Sequence, residues 1–220
     1  MTPCHVSTLY FPEEKLLILW VSLHETLGGC LGGLEPRKAV YIVKNPEKIR
    51  LIADFQRSAI LRHLARSPMT ETELSELLGL TRASVGYHLH LLSEAGLIRV
   101  ERTEPEGHGI LQKYYGPIAF LFIADFDLIP DDARNYFIAL QMERLRGALA
   151  AFQIQSGRQI EVSSQILEEL AEEALKELTK VAEAYGKEGA LDREIIALKI
   201  HSEVLGRLMK EEKWSQYFKK

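Results

Sequence analysis

The sequence has few cysteines and no long hydrophobic run. Cys4 and Cys30 are too few in 220 residues for the disulfide framework of a small secreted domain, and their spacing is not that of a metal site. The longest apolar run, at residues 16–21, is far shorter than the roughly 20 residues that cross a bilayer. We therefore expect a cytoplasmic protein with no membrane partner and no bound metal or other cofactor.

An excess of positive charge is also missing. The chain has 27 basic and 31 acidic side chains, a net charge of −4, which argues against nucleic-acid binding by bulk electrostatics. Residues 47–116 carry nine basic and nine acidic side chains, while residues 161–220 carry ten and thirteen. Any contact with nucleic acid must therefore depend on the local distribution of charge.

Residues 46–66 show the pattern of a helical stretch. Asn45 followed by Pro46 is typical of a helix N-cap with proline in the first turn, and Ser67-Pro68 predicts the end of the stretch. Apolar residues recur at helical spacing between these two signals. The sequence predicts a first helix that continues into a second helical stretch within this segment.

Two further helices follow within thirty residues. Thr70 and Glu73 form a T-x-x-E capping box ahead of a short apolar stripe that ends at Gly79. Thr81 can then cap a longer helix, which Gly96 ends. The connection at residues 79–81 has the length of the turn in a helix-turn-helix motif.

After Gly96 the hydrophobic period changes from helical to alternating. Residues 98–102 predict a strand, residues 104–109 a turn-rich tip, and residues 110–115 a return strand. Helix, short helix, tight turn, helix and hairpin is the order of elements in a winged helix-turn-helix domain, which we place at residues 46–118.

The remainder, residues 119–220, is predicted to be mostly helical. Apolar stripes at residues 133–152, 166–182 and 195–209 predict three helices that dimerise the protein or close on themselves as a monomeric bundle. Residues 120–128 are compatible with a strand or with a buried helical turn. The expected fold class is mainly α with a small β-wing, comprising a winged helix-turn-helix domain and a C-terminal helical dimerisation region.

Residues 1–45 form an N-terminal extension without an obvious domain pattern. One hypothesis is a short amphipathic helix at residues 13–23 that packs on the body of the protein. Another is that residues 1–39 are an upstream extension absent from the native product.

The helix that begins at Arg82 has two different faces. At about 100° per residue, Val85, Leu89 and Leu92 form a buried stripe. The outward face carries small or polar side chains: Ala83, Ser84, Tyr87 and His90. No carboxylate interrupts this face before Glu94, which suits a helix approaching two rows of phosphates. Taken alone, this pattern is equally typical of a solvated helix face.

The sequence LTRASVGYHLHLLSEAGLI at residues 80–98 resembles the recognition helix of ArsR-type winged-helix transcription regulators, with their H-L-x-x-L-x-x-A-G-L signature. Residues 54–64 resemble the family's D-x-x-R-x-x-I-L-x-x-L helix, and QKYY at residues 112–115 resembles its return wing strand. The resemblance covers residues 46–118 and implies contacts to double-stranded DNA from Arg57, Thr81, Arg82, Ala83, Ser84, Tyr87, His90, Arg102, His108 and Lys113.

The chain departs from that family at the effector site. Metal-sensing members carry a cysteine pair in the helix that corresponds to residues 71–78, and this sequence has no cysteine there. A thiolate metal site at that helix is therefore excluded. A small-molecule effector of unknown identity would instead bind between the wing and the helical region, because domain junctions favour pockets.

These patterns predict a transcription regulator that binds a pseudo-palindromic operator as a homodimer. His88, beside the buried stripe, is predicted to be packed or to touch a phosphate rather than to read a base. No arrangement of nucleophile and base is visible, so we do not expect an enzyme. The alternative is a protein-interaction adaptor that uses the winged helix as a docking surface, because this fold serves both purposes.

Overall fold

Eight α-helices, a short 3₁₀ helix at Phe126–Leu128 and two small sheets make up the described part of the computed structural model, which covers residues 36–105, 111–157, 161–186 and 193–218. From Pro36 onward the chain packs as one unit. The strands are β1 (Lys38–Val43), β2 (Ile98–Pro105), β3 (Leu111–Pro117) and β4 (Ala119–Ala124). The helices are α1 (Pro46–Ile52), α2 (Phe55–Arg66), α3 (Glu71–Leu78), α4 (Arg82–Glu94), α5 (Asp131–Ser156), α6 (Ser164–Tyr185), α7 (Arg193–Leu208) and α8 (Glu212–Phe218). The helix predicted at residues 13–23 and both cysteines lie outside the described residues.

Local capping interactions start the helices of the N-terminal half where the sequence predicts. The Asn45 side chain accepts hydrogen bonds from two backbone N–H groups in the first turn of α1. Thr70 and Glu73 form the reciprocal capping box of α3, and Gly79 ends that helix with a φ of 65°, in the left-handed region that favours glycine. Thr81 caps α4 by accepting a hydrogen bond from the backbone N–H of Ser84.

The helical stretch predicted over residues 46–66 is two helices rather than one. α1 ends at Ile52, and Asp54 caps α2 by accepting a hydrogen bond of 2.9 Å from the backbone N–H of Arg57. An aspartate side chain can replace the helical acceptor of a backbone N–H, so it starts a new helix instead of continuing the old one. The sequence predicts a second helical stretch here but not the break at residues 53–54.

Strands β2 and β3 form the predicted antiparallel hairpin behind α4. Their register pairs Ile98 with Pro117 and Thr103 with Lys113, and a bulge interrupts it between Val100 and Arg102. With α2, α3 and α4, the hairpin completes the element order of a winged helix-turn-helix domain.

A second sheet joins distant parts of the chain. β1 and β4 pair in parallel, with Lys38 beside Ala119 and Ile42 beside Ile123. β1 lies within residues 1–45, for which the sequence predicted only an extension without a domain pattern. Residues 120–124, for which a strand and a buried helical turn were both compatible with the sequence, lie in strand β4. The predicted boundary at residue 118 falls between β3 and β4.

The C-terminal half is helical, as predicted. α5 carries 26 residues, and α6 packs against both α5 and α7. The sequence reading missed α8, which buries Trp214 to 1% exposure. Among the helices in the described ranges, none combines the length and apolar content required to cross a membrane.

Candidate nucleic-acid interface

Three buried side chains fix the rotation of α4 about its axis. Val85 and Leu92 are completely buried, and Leu89 is 2% exposed. Because residues four and seven positions apart share one face of a helix, this stripe anchors α4 on the core and turns the opposite face to solvent. The buried stripe predicted from the sequence is confirmed.

The outward face of α4 is available to a partner. Tyr87 is 60% exposed, and the side chains of Arg82 and His90 are 69% and 66% exposed. Thr81 and Ala83 are also exposed, and Ser84 is half-buried at the edge of the face. The structure therefore brings the six residues predicted on and beside this helix into one surface.

Two carboxylates border this surface. His90 Nε2 lies 3.4 Å from the Glu94 carboxylate, which the sequence places at the end of the face. Glu71 Oε1, from α3, lies 4.0 Å from Arg82 Nε. Gly86 allows this approach, because a Cβ at that position would stand 3.2 Å from a Glu71 carboxylate oxygen. The sequence reading missed Glu71, and a glycine at a solvent-facing helix position was the signal that a neighbouring side chain packs there.

His88 is packed, as its position beside the buried stripe predicts. It is 7% exposed, and its Nε2 lies 2.6 Å from Gln56 Oε1 on α2. Because an amide oxygen only accepts, His88 Nε2 carries the proton and donates. His88 therefore ties α4 to α2 and does not reach the outward face.

The wing adds cationic side chains next to α4. The Arg102 guanidinium stacks over the Tyr114 ring at 3.9 Å, and its Nε lies 2.9 Å from a Glu104 carboxylate oxygen. A hydrogen bond to Glu104 raises the pKa of Tyr114. Lys113 is exposed and lines a polar groove together with Arg82. His108, predicted to contact DNA, lies outside the described residues.

Arg57, unlike the other residues predicted to contact DNA, forms interactions with the end of α1. Its Nε donates a hydrogen bond of 2.7 Å to the backbone carbonyl of Leu51, and its Nη2 lies 3.7 Å from Asp54. The side chain is 15% exposed. Arg57 thus holds the junction between α1 and α2, and its contact with a phosphate stays a prediction.

Metal-ligating side chains do not gather in the described ranges. No group of three histidine, cysteine, aspartate or glutamate residues there stands close enough to hold an ion.

The elements from α2 to β3 define the class of this domain, a winged helix-turn-helix. The sequence comparison agrees with the geometry, since a family model described as a helix-turn-helix domain matches residues 53–101, from the end of α1 into β2. A comparison with curated proteins found no match. The match supports a helix-turn-helix regulator domain and does not single out the ArsR type.

Proposed function

We propose that this chain is a sequence-specific DNA-binding transcription regulator that acts as a homodimer on a pseudo-palindromic operator. The observation that carries the proposal is the outward face of α4. Its side chains are exposed, uncharged or cationic along most of the helix, and backed by a buried stripe that holds the helix rigidly. A helix of this kind fits the major groove of DNA.

The side chains on this surface divide into two roles. Arg82, Ser84, Tyr87 and His90 offer hydrogen bonds to base edges, while Thr81 and Ala83 stand beside them at the start of the helix. Cationic groups of the wing and of α2 neutralise phosphates, which positions the helix without reading sequence: Lys113, Arg102 and Arg57. The resemblance adds His108 as a further contact.

Dimerisation follows from the requirements of recognition. One recognition helix discriminates poorly between sequences, whereas two helices held about 34 Å apart read two half-sites of a pseudo-palindrome. We assign dimerisation to residues 119–220, the acidic, helical part of the chain, which would face away from the DNA.

The test is binding of the purified full chain to fragments of its own upstream region and to random DNA, at two salt concentrations. We expect tight binding to an upstream fragment, weaker binding to random DNA, and loss of affinity as salt rises. Footprints of two symmetric half-sites would report the dimer. Equal, weak binding to both kinds of DNA would contradict the proposal.

The alternative is a protein-interaction adaptor. The observation that favours it is Glu71, whose carboxylate lies 4.0 Å from Arg82 and offsets its charge at the border of the candidate surface. An adaptor would bind neither DNA sample with salt-dependent affinity, so the same experiment separates the two functions.

A further inference from the structure

A cavity lies between strand β4 and helices α2, α5, α6 and α7. The space that the centres of water-sized molecules can reach there is about 100 Å³. Its apolar wall includes Leu61, Phe122, Phe137, Leu175 and Leu178. The described residues of the wing do not line it, so the cavity differs from the junction at which the sequence suggested an effector. Its walls come from α2 of the DNA-binding domain and from the helices that follow.

The charged side chains on the cavity wall are all of one sign. Arg62, Arg144 and Arg193 line it, and no aspartate or glutamate among the described residues does. This is notable in a chain with more acidic than basic residues. Arg193 Nη1 lies 2.9 Å from Glu194 Oε1, and Glu194 itself is not part of the cavity wall. The wall therefore offers cationic groups to an anion.

Arg144 is held in place by a neutral partner. Its Nη1 lies 3.0 Å from His201 Nε2, and since a guanidinium only donates, His201 accepts at that nitrogen. Burial and the charge of Arg144 lower the pKa of His201 to about 3, so the imidazole is uncharged near neutral pH. Partial burial of its guanidinium and the charge of Arg193 lower the pKa of Arg144, although the residue as a whole is exposed to solvent. His201 orients the guanidinium as an uncharged partner, and the carboxylate that acts on the charge of Arg144, Glu194, is not part of the cavity wall.

Gln141 adds a polar group deep in the cavity. The residue is 3% exposed, and its Oε1 is buried without a hydrogen-bond partner in the part of the chain that the structure describes. Buried amides are normally satisfied, because an unpaired one loses its bonds to water. A half-turn of the amide exchanges its oxygen for its NH2 group, so Gln141 can accept from a ligand or donate to one.

The side chains that α5 contributes to the cavity change from apolar to polar toward the C-terminal end of the helix. Phe137, Leu140, Gln141 and Arg144 all line the cavity and lie three or four positions apart, on one face of the helix. Phe137 and Arg144 are seven residues apart along the helix, a rise of about 10 Å, comparable to an extended eight-carbon acid. An apolar chain would lie against Phe137 and Leu140, with its charged end at Arg144.

We propose that this cavity binds a small organic acid with an apolar body, whose carboxylate pairs with Arg144 and whose chain lies along α5, and that this acid is the effector of the DNA-binding domain. Binding itself does not depend on the proposed function, whereas the role of effector rests on it. α2 links the two parts, since it lines the cavity through Ser58, Leu61 and Arg62 and bonds α4 through Gln56.

Binding is tested by titrating the full chain, near neutral pH and without DNA, with acetate, butyrate, hexanoate and octanoate. We expect affinity to rise by about fourfold for each methylene added within the cavity. Octylamine and octanol test the sign of the charge, and both should bind at least tenfold more weakly than octanoate. Equal affinity for octanoate and octylamine, or affinity that does not change with chain length, would overturn the proposal.

Two variants connect the binding to the cavity. Arg144→Gln should weaken octanoate binding by at least tenfold, and Arg146→Gln, an exposed position on the same helix, should leave it unchanged. Gln141→Leu removes a buried unpaired oxygen, so we expect the melting temperature of the ligand-free protein to rise while octanoate raises it less than in the parent chain. Unchanged octanoate affinity in both cavity variants would refute the assigned site.

The role of effector is tested with the upstream DNA fragment. Octanoate should change the affinity for DNA several-fold, and the fragment should change the affinity for octanoate by the same factor, because coupling between two sites is reciprocal. Octanoate that binds without changing DNA affinity would refute the effector role alone. A chain that binds octanoate but no DNA would instead refute the proposed function.

Discussion

His88 Nε2 and Gln56 Oε1 lie 2.6 Å apart, and their hydrogen bond joins α4 to α2 across 32 residues of sequence. The bond lies beside the outward face, because the 7% exposed His88 ring meets the exposed Tyr87 ring edge-on, with 5.6 Å between the ring centroids. It therefore sets the angle at which the outward face is presented without belonging to that face.

Replacing His88 by alanine tests this role. The change removes a buried ring and its hydrogen bond, so the free energy of unfolding should fall by about 1–3 kcal/mol. His90→Ala, at an exposed position on the same helix, should change stability by less than about 0.5 kcal/mol and weaken DNA binding instead. Urea unfolding measures the first effect and DNA titration the second. Equal stability of the two variants would contradict the assignment.

Arg82 and Lys113 should contribute differently to DNA binding. Arg82→Ala should weaken binding to the specific site by about 1–3 kcal/mol and relax the preference at one base position. Lys113→Ala should weaken binding to all sequences alike and reduce the salt slope by about one unit. Affinities for single-base variants of the site, each measured at several salt concentrations, separate the effects. If both substitutions lower affinity equally for every sequence, the division of roles is wrong.

Gly116 is expected to be intolerant of a side chain. A Cβ there would lie 2.3 Å from the Glu101 carboxylate, which accepts two hydrogen bonds of 2.8 and 2.7 Å from Arg37. This ion pair is mostly buried, so displacing it leaves charges poorly compensated, and we expect Gly116→Ala to cost about 1–3 kcal/mol of stability.

Gly147 is the matched control for Gly116. A Cβ there meets nothing within 4 Å, and the residue lies in the interior of α5. Gly147→Ala should therefore stabilise the protein by up to about 1 kcal/mol through helix propensity. Chemical unfolding of both variants checks the contrast, and a Gly116→Ala variant as stable as the parent would show that the ion pair moves aside freely.

Glu177 should make stability depend on pH. Hydrogen bonds from Lys180 and, across the helical hairpin, from Arg207 lower its pKa below the ordinary value of 4.5. A carboxylate with a lowered pKa stabilises the folded state above its ordinary pKa and loses that contribution as pH falls through the folded value. The parent chain should therefore lose more stability between neutral pH and pH below 4.5 than Glu177→Gln does.

The control for Glu177 is Glu168, which is exposed on the same helix. Glu168→Gln should follow the pH dependence of the parent chain. Urea unfolding midpoints at the two pH values are the measurement, and identical losses in all three proteins would exclude a role for Glu177.

Features set by short stretches of sequence were predictable. The caps at Asn45, Thr70 and Thr81 depend on backbone groups two or three residues away, and the buried stripe of α4 depends only on helical periodicity. The helix break at Asp54 was missed because an aspartate within an apolar pattern is compatible with an exposed helical position as well as with a cap.

The cavity was beyond prediction because its wall is assembled from several elements. Its one local signal is Gln141, a polar residue four positions after Phe137 and four before Leu145, on a stripe that is otherwise apolar. Such a residue shows that the stripe meets something polar. It does not show that Arg144 and His201 meet there.

In the winged helix-turn-helix domain, the sequence by itself determined the caps at Asn45, Thr70 and Thr81 and the outward face of α4, because these follow from hydrogen bonds and periodicities within a few residues. The tertiary structure decided the parallel pairing of β1 with β4, the approach of Glu71 to Arg82 and the cavity lined by Arg144. These relationships join residues that are far apart in the chain or on different elements. Such contacts stabilise the protein only after the packing of the core has brought the elements together, because closing the intervening chain costs entropy.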